Sequence, residues 1–170
     1  LVACGREPAP APAGFRDPAT LIGATLRYDA ARFAGAWQVR AAFPGDGDPR
    51  AVTFAPQGPT FVETRESCDA TGACAPRRVV WGATEEGPGR YLPRAAVGGA
   101  ERALWVLWVD EDFRTAVVGA PPGGYGWLLD RSATGGEDRI AVARERPACH
   151  GYHRNALQQS DAHGQSRGTE

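Results

Sequence analysis

Between residues 36 and 131 the chain alternates short runs of apolar and β-branched residues with clusters of Gly, Pro and Asp. The runs recur at roughly 8–12 residues, the spacing of antiparallel strands joined by tight turns. Eight such runs predict eight strands, over 36–43, 50–56, 60–66, 77–83, 89–94, 103–109, 113–119 and 124–131. The breakers between them are explicit, as in Pro44-Gly45-Asp46-Gly47-Asp48-Pro49, Gln57-Gly58-Pro59 and Pro121-Pro122-Gly123-Gly124. Within a run the period of two sorts side chains by face, so Trp37, Val39, Ala41 and Phe43 share one side of the first strand, and Tyr125, Trp127, Leu129 and Arg131 one side of the last.

The sixth run, Ala103 to Val109, is apolar at every position and passes through Asp110-Glu111-Asp112 into the seventh, which predicts a hairpin. Its continuous apolarity means that one face meets a core while the other is also covered or lines an apolar cavity. Alternation opposes Trp105 and Leu107 to Val106 and Trp108 without fixing which pair turns inward. The fold expected is all-β: an eight-stranded antiparallel up-and-down barrel, closed without edges and wide enough inside for side chains or one small ligand. One short helix follows from Glu137 to Arg146, acidic in its first turn and basic in its last, with Pro147 as its stop and Ile140 with either Ala143 or Arg144 toward the barrel wall. Residues 158–170 are polar and predict a flexible tail.

With 170 residues, 42% of them hydrophobic and 23% charged, the chain fits one globular domain. The formal charge of −1 gives no electrostatic footprint for nucleic acid. Every basic residue is arginine, a bias shared with the abundance of Ala, Gly and Pro and attributable to base composition. There is no methionine. Leu1-Val2-Ala3-Cys4 then reads as the remnant of a lipoprotein signal peptide, its cysteine becoming the acylated first residue of the mature chain. The Pro/Ala alternation that follows favours polyproline II, a semi-rigid spacer. The expected organisation is therefore a signal remnant at 1–3, an acylated Cys4 with a Pro/Ala-rich tether to residue 25, a barrel with its helix over 26–157, and the tail. No run approaches the length of a transmembrane helix, so any membrane attachment would go through the anchor.

Three segments carry a family resemblance. Gly35-Ala36-Trp37 at the start of the first strand resembles the first lipocalin motif. Asp110-Glu111-Asp112-Phe113 between the sixth and seventh strands resembles the second, and Arg131 ending the eighth strand resembles the third. The run Val118-Gly119-Ala120-Pro121 is similar to bacterial outer-membrane lipocalins, which are themselves lipoproteins. In physical terms Trp37 would plug one end of the barrel, Arg131 would lay its guanidinium on that indole, and Gly35 would allow close approach of the preceding segment. Gly35, Trp37, Asp110, Asp112 and Arg131 are thus expected to be structural.

The resemblance implies a non-enzymatic carrier of a small hydrophobic or amphipathic ligand, such as a fatty acid or lysophospholipid. It would be held at the outer membrane, facing the periplasm, with no cofactor. Candidate wall residues are Val39, Phe54, Phe61, Trp81, Tyr91, Trp105 and Trp108. Two rivals stand beside it: a barrel filled by its own side chains that binds a protein, as an envelope inhibitor would, and an enzyme on the same barrel using Cys149 or a histidine.

Of the remaining cysteines, Cys68 and Cys74 flank a short polar loop and are the favoured disulfide, leaving Cys149 as a buried free thiol. The rival pairing joins Cys149 to one of the other two, stapling the C-terminal segment to the barrel. Cys149-His150-Gly151-Tyr152-His153 lacks a second ligand cluster for a metal and an orienting partner for a nucleophile, so it is expected to link the helix to a final segment docked on the barrel. Glu63, Glu66, Asp110, Glu111 and Asp112 are expected to be solvated strand or turn residues.

Overall fold

The computed structural model describes residues 14–45, 49–68, 71–94 and 102–160. Eight antiparallel strands form the barrel: β1 (Gly35–Phe43), β2 (Ala51–Gln57), β3 (Thr60–Cys68), β4 (Cys74–Ala83), β5 (Arg90–Pro93), β6 (Leu104–Val109), β7 (Thr115–Gly119) and β8 (Gly126–Asp130). Each pairs with the next, and β1 closes the ring by pairing with β2 through Gly35–Gln38 and with β8 through Gln38–Phe43. All eight expected strands are present, because the Gly/Pro/Asp breakers sit at the turns.

The inner and outer faces separate into two apolar clusters. One fills the barrel with the inward residues of every strand, including Trp37, Phe54, Trp81, Val106 and Trp127; on β1 a bulge between Val39 and Ala41 turns Ala41 and Phe43, expected on the same side as Trp37, to the outside. The other, with Phe43, Leu107, Val117 and Leu128, lies on the outside beneath α2 (Glu137–Cys149), which contributes Ile140, as expected, and Ala143 rather than Arg144. Strands β6 to β8 are therefore covered on both faces, which accounts for their continuous apolarity.

Three local features differ from expectation. Pro147 does not stop α2 but lies buried inside its last turn. The helix runs on to Cys149, and the chain turns away at Gly151, whose φ of 84° permits the left-handed turn. There the Tyr152 N–H donates to the Pro147 carbonyl and the Gly151 N–H to that of Ala148, both at 3.1 Å, the paired bonds of a Schellman cap. Gln158 and Gln159, expected in the tail, form β9 (Gln158–Gln159) on the edge of β1, opposite Ala42 and Ala41. They occupy the stretch that β2 leaves after its last pairing at Gln38. Residues 161–170 lie outside the described residues. The lead-in 14–25, expected as tether, is docked on the barrel wall: Phe15 N–H donates to Gly123 at 2.7 Å, Asp17 N–H to Gly151 at 2.8 Å, and Thr25 N–H to Val106 at 2.8 Å. A four-residue helix α1 (Ala30–Phe33) follows, capped by the Asp29 carboxylate on the Arg32 N–H.

Candidate functional site

The ends of the barrel differ. At one end α1, the β2–β3 and β4–β5 turns and the Asp110–Arg114 turn converge, and Trp37 fills the floor. Its ring packs on Phe33 at 5.3 Å between centroids, and Phe33 on Phe54 at 5.1 Å. Arg131 lies over the indole with its guanidinium 3.6 Å from the ring centroid. This is the arrangement expected of the motif residues. Gly35, at φ 106°, lets the backbone pass within 3.2 Å of the Arg131 guanidinium, measured from an ideal Cβ position. Asp110, expected to be solvated like its neighbours, is instead buried, and its carboxylate accepts from the N–H groups of Arg114 and Thr115 at 2.6 and 2.8 Å, holding the turn that carries Asp112.

At the middle of the barrel alternation on β3 turns Phe61, Glu63 and Arg65 inward together. Glu63 was expected to be solvated, yet it has no exposure at all. The Trp81 indole N–H donates to its Oε2 at 2.8 Å, and Arg65 Nε lies 3.3 Å from its Oε1. The Arg65 guanidinium also covers Trp127 at 5.0 Å. Burial pushes the Glu63 carboxyl above its ordinary value, an effect that the Arg65 charge and the Trp81 donor only partly offset. Burial lowers Arg65 for the same reason.

Toward the other end, the mouth, Arg77 is the register partner of Arg65 and shares its face. Arg102 lies 5.8 Å from the Tyr125 ring, whose hydroxyl donates to Ala103 at 2.7 Å. Desolvation lowers both Arg77 and Arg102 and raises the Tyr125 phenol. The interior thus reads from apolar floor to a buried ion pair to a half-buried basic rim.

Of the seven candidate wall residues, Val39, Phe54, Phe61, Trp81 and Tyr91 face inward and are brought together in the inner cluster. Tyr91 packs on Phe61 at 5.4 Å and shares a 2.6 Å hydroxyl contact with Tyr28 on the lead-in. Trp105 and Trp108 do not belong to this set. Trp105 is opposite Arg90 on β5, with that guanidinium 4.6 Å above its ring on the outer face, while Tyr91 and Leu104 take the inner one. The β6–β7 register slips between Val106 and Trp108, so Leu107 and Trp108 both turn outward under α2, and Arg146 covers Trp108 at 5.4 Å. A bulge of this kind breaks the period of two, which is why alternation alone left the face of Trp108 open. The residues the sequence reading missed are Glu63, Arg65 and Trp127, though the spacing Phe61-x-Glu63-x-Arg65 already put two charges on an aromatic face.

Cys68 and Cys74 are joined, as favoured, at the tip of the β3–β4 hairpin. Cys149 is free but exposed rather than buried, its thiol directed at the Glu145 carbonyl on the outside of α2. His150 is held away from it: its Nδ1 accepts from the Gly23 N–H at 3.4 Å, and burial together with Arg16 lowers its pKa. Among the described residues the cluster Glu66, Cys68 and Cys74 has metal-ligand proximity, but its two sulfurs are bonded to each other.

A closed eight-stranded antiparallel barrel with one external helix is the lipocalin fold. The family model described as "Lipocalin-like domain" matches residues 90–162, which span β5 to β9. Among solved structures, apocrustacyanin C2 is similar with a TM-score of 0.64 at 12% identity, covering 85% of this chain and 91% of that one. Apocrustacyanin C1 is similar with a TM-score of 0.60 at 13% identity over 77% of this chain and 79% of that one. Lobster apocrustacyanin A1 gives 0.56 at 12% identity over 78% and 80%. No curated protein matches the sequence.

Proposed function

We propose that this protein is a lipocalin of the bacterial cell envelope that binds one small hydrophobic or amphipathic ligand, a fatty acid, a lysophospholipid or a similar lipid, inside its barrel. It is attached to the outer membrane through an acylated Cys4 and faces the periplasm. The observation that carries this reading is the graded interior: aromatic and aliphatic side chains line the floor and walls, and among the described residues charge enters only at Glu63, Arg65 and the basic rim. An apolar tail has a lining to replace, and an acidic or zwitterionic head has the guanidinium groups of Arg65, Arg77 and Arg102 on the mouth side. The lipocalin fold generally binds small hydrophobic ligands, which is consistent with this chemistry. The Arg65 guanidinium reaches the Trp127 ring across the barrel, so a ligand enters by displacing inner side chains. Phe61 and Tyr91, the least covered of the inner aromatics, are the ones expected to move.

Trp37, Trp81 and Trp127 all face the interior, so intrinsic fluorescence reads occupancy directly. Titration with long-chain fatty acids and lysophospholipids is expected to shift the emission saturably. An unmoved spectrum across both lipid classes removes the ligand-carrying reading. One observation favours the rival protein-binding scaffold: Trp81 and Phe54 have no exposure, as in a barrel filled by its own side chains. Native mass spectrometry of protein taken from its own envelope separates the two, since a carrier retains lipid and a filled scaffold co-purifies with a protein. Against an enzyme stands the position of Cys149 and His150, both at the end of α2 outside the barrel.

A further inference from the structure

Along the inner face of β3 an aromatic ring, a carboxylate and a guanidinium follow one another from floor to mouth, at Phe61, Glu63 and Arg65. Successive members are about 7 Å apart along the strand. Glu63 and Arg65 are both closed off from solvent, with side-chain exposures of 0% and 1%. One negative and one positive charge therefore balance each other in a desolvated interior. The carboxylate is not fully used. Trp81 Nε1 donates to its Oε2 at 2.8 Å, whereas Oε1 faces Arg65 Nε at 3.3 Å and accepts no hydrogen bond among the described residues. A buried carboxylate oxygen of this kind has lone pairs for a further donor. The other ionisable groups that face Glu63 are Arg77 on β4 and the Tyr125 phenol, which burial and then the Glu63 charge hold in its neutral form. Arg77 is half-buried at the mouth, where water and salt screen its charge.

We propose that the ligand is a carboxylic acid that binds beside Glu63 together with one proton, the two carboxyl groups sharing that proton above the aromatic floor. This rests on the reading of the barrel as a lipid carrier, and it narrows the ligand to fatty acids. The charge count supplies the reason. A fatty acid in neutral water is an anion, and seating its carboxylate against Glu63 would set two negative charges beside the buried positive charge of Arg65. Two carboxylates at hydrogen-bond distance in a desolvated site do not both stay ionised, and one of them takes a proton. That proton comes from solvent, forms the O–H of one carboxyl and is donated to the other. Oε1 thereby gains the partner it lacks, and one net negative charge again faces Arg65. A lysophospholipid phosphodiester stays ionised in the same range and brings no donor, so it leaves the second negative charge uncompensated. The wall below Glu63 suits the tail, because Phe61 packs there on Tyr91 at 5.4 Å and these are the rings expected to move aside.

The test is calorimetric titration of the full-length protein with monomeric dodecanoate at about pH 8, in two buffers of different ionisation heat. Dodecanoyl-lysophosphatidylcholine is titrated alongside. The parent is expected to take up close to one proton per dodecanoate bound. By linkage its affinity then falls toward tenfold per pH unit as pH rises from about 7 to about 8.5. Glu63→Gln keeps an acceptor for the Trp81 N–H but carries no charge, so it is expected to bind dodecanoate with no proton uptake and with an affinity that does not change over that range. Dodecanoate binding to the parent without proton uptake overturns the proposal, and this measurement needs no variant. Uptake that persists in Glu63→Gln overturns it equally. If the lysophospholipid binds and dodecanoate does not, the carboxylic-acid assignment fails while the lipid-carrying reading stands. Binding of neither defeats both.

Discussion

Arg131 and Trp37 close the floor of the barrel as one unit. The guanidinium sits 3.6 Å from the indole centroid and donates to the carbonyls of Arg32 at 2.7 Å, Ala34 at 3.0 Å and Ala36 at 2.9 Å. The indole N–H in turn donates to Phe33 at 2.8 Å. One side chain thus anchors the end of α1, the start of β1 and the flat face of the plug. Trp37→Ala is expected to cost about 3–5 kcal/mol as a large core truncation. Arg131→Lys keeps the charge but loses the planar fork that serves several carbonyls, and is expected to cost about 1–3 kcal/mol. Urea unfolding of each variant measures both, and a Trp37→Ala midpoint equal to that of the parent would mean that the indole does not hold the floor.

The buried Glu63 carboxyl gives stability a definite pH dependence. Its pKa in the fold is raised by burial above the ordinary 4.5. Between the two values the folded chain holds more protons than the unfolded one, so stability falls as pH rises through that window and is fully present below 4.5. Glu63→Gln keeps an acceptor for the Trp81 N–H but cannot titrate. The difference in unfolding free energy between Gln variant and parent is therefore expected to move in favour of the variant as pH is raised from about 4 toward neutrality. A difference that stays constant over that range would show that burial does not govern this group.

Much of this architecture is legible in the sequence, and the parts that are not share a physical cause. The eight strands are marked by breakers such as Pro121-Pro122-Gly123-Gly124, whose backbone preferences are local and need no tertiary context. The face of Trp108 is not local: it depends on a bulge opposite Val117 and on the helix that covers the outside, and neither leaves a trace in an all-apolar run. Glu63 reads as solvated by residue type, although its period-two partnership with Phe61 points inward. Pro147 is an ordinary helix stop by preference, yet its neighbours supply a glycine cap four residues later. The lead-in around Arg16 has the composition of a linker, and only the carbonyls offered by Pro121 and His150 make it part of the wall.

The separation of inner from outer tryptophans predicts which of them a ligand perturbs. Trp81→Phe removes the donor to Glu63 and is expected to weaken lipid binding and to reduce the fluorescence change on titration. Trp108→Phe alters a side chain under α2 and is expected to leave both unchanged. Binding isotherms for the two variants with one fatty acid decide it, and an effect of Trp108→Phe equal to that of Trp81→Phe would place the ligand outside the barrel.

The Cys68–Cys74 bond closes a loop of six residues' separation at an exposed hairpin tip. Its contribution comes from restricting the unfolded chain, and for so short a loop that amounts to about 2 kcal/mol. The Cys68→Ser, Cys74→Ser pair is expected to lose about that much with the barrel intact. Urea titration gives the loss, and unchanged near-ultraviolet circular dichroism checks that the aromatic interior is undisturbed. In the parent, a thiol reagent is expected to find Cys149 reactive without denaturant, because it is exposed.

Gly151 joins two functions that one substitution separates from the barrel. At φ 84° it lets the chain turn out of α2, and an ideal Cβ there would lie 2.7 Å from the Thr20 Cβ and 3.0 Å from the Asp17 carbonyl oxygen. The same residue's carbonyl accepts from Asp17 N–H at 2.8 Å, so the lead-in packs on the very atoms that cap the helix. Gly151→Ala therefore carries both the left-handed penalty, about 1–2 kcal/mol, and a steric clash with the segment around Thr20. The clash is relieved most readily by lifting residues 17–20, which are held at the surface, rather than by moving the buried Tyr152. The expected result is a modest fall in melting temperature together with a several-fold increase in the rate at which trypsin cuts after Arg16. A variant with the lower melting temperature but parental cleavage at Arg16 would show that the lead-in is held by Arg16 and Phe15 alone.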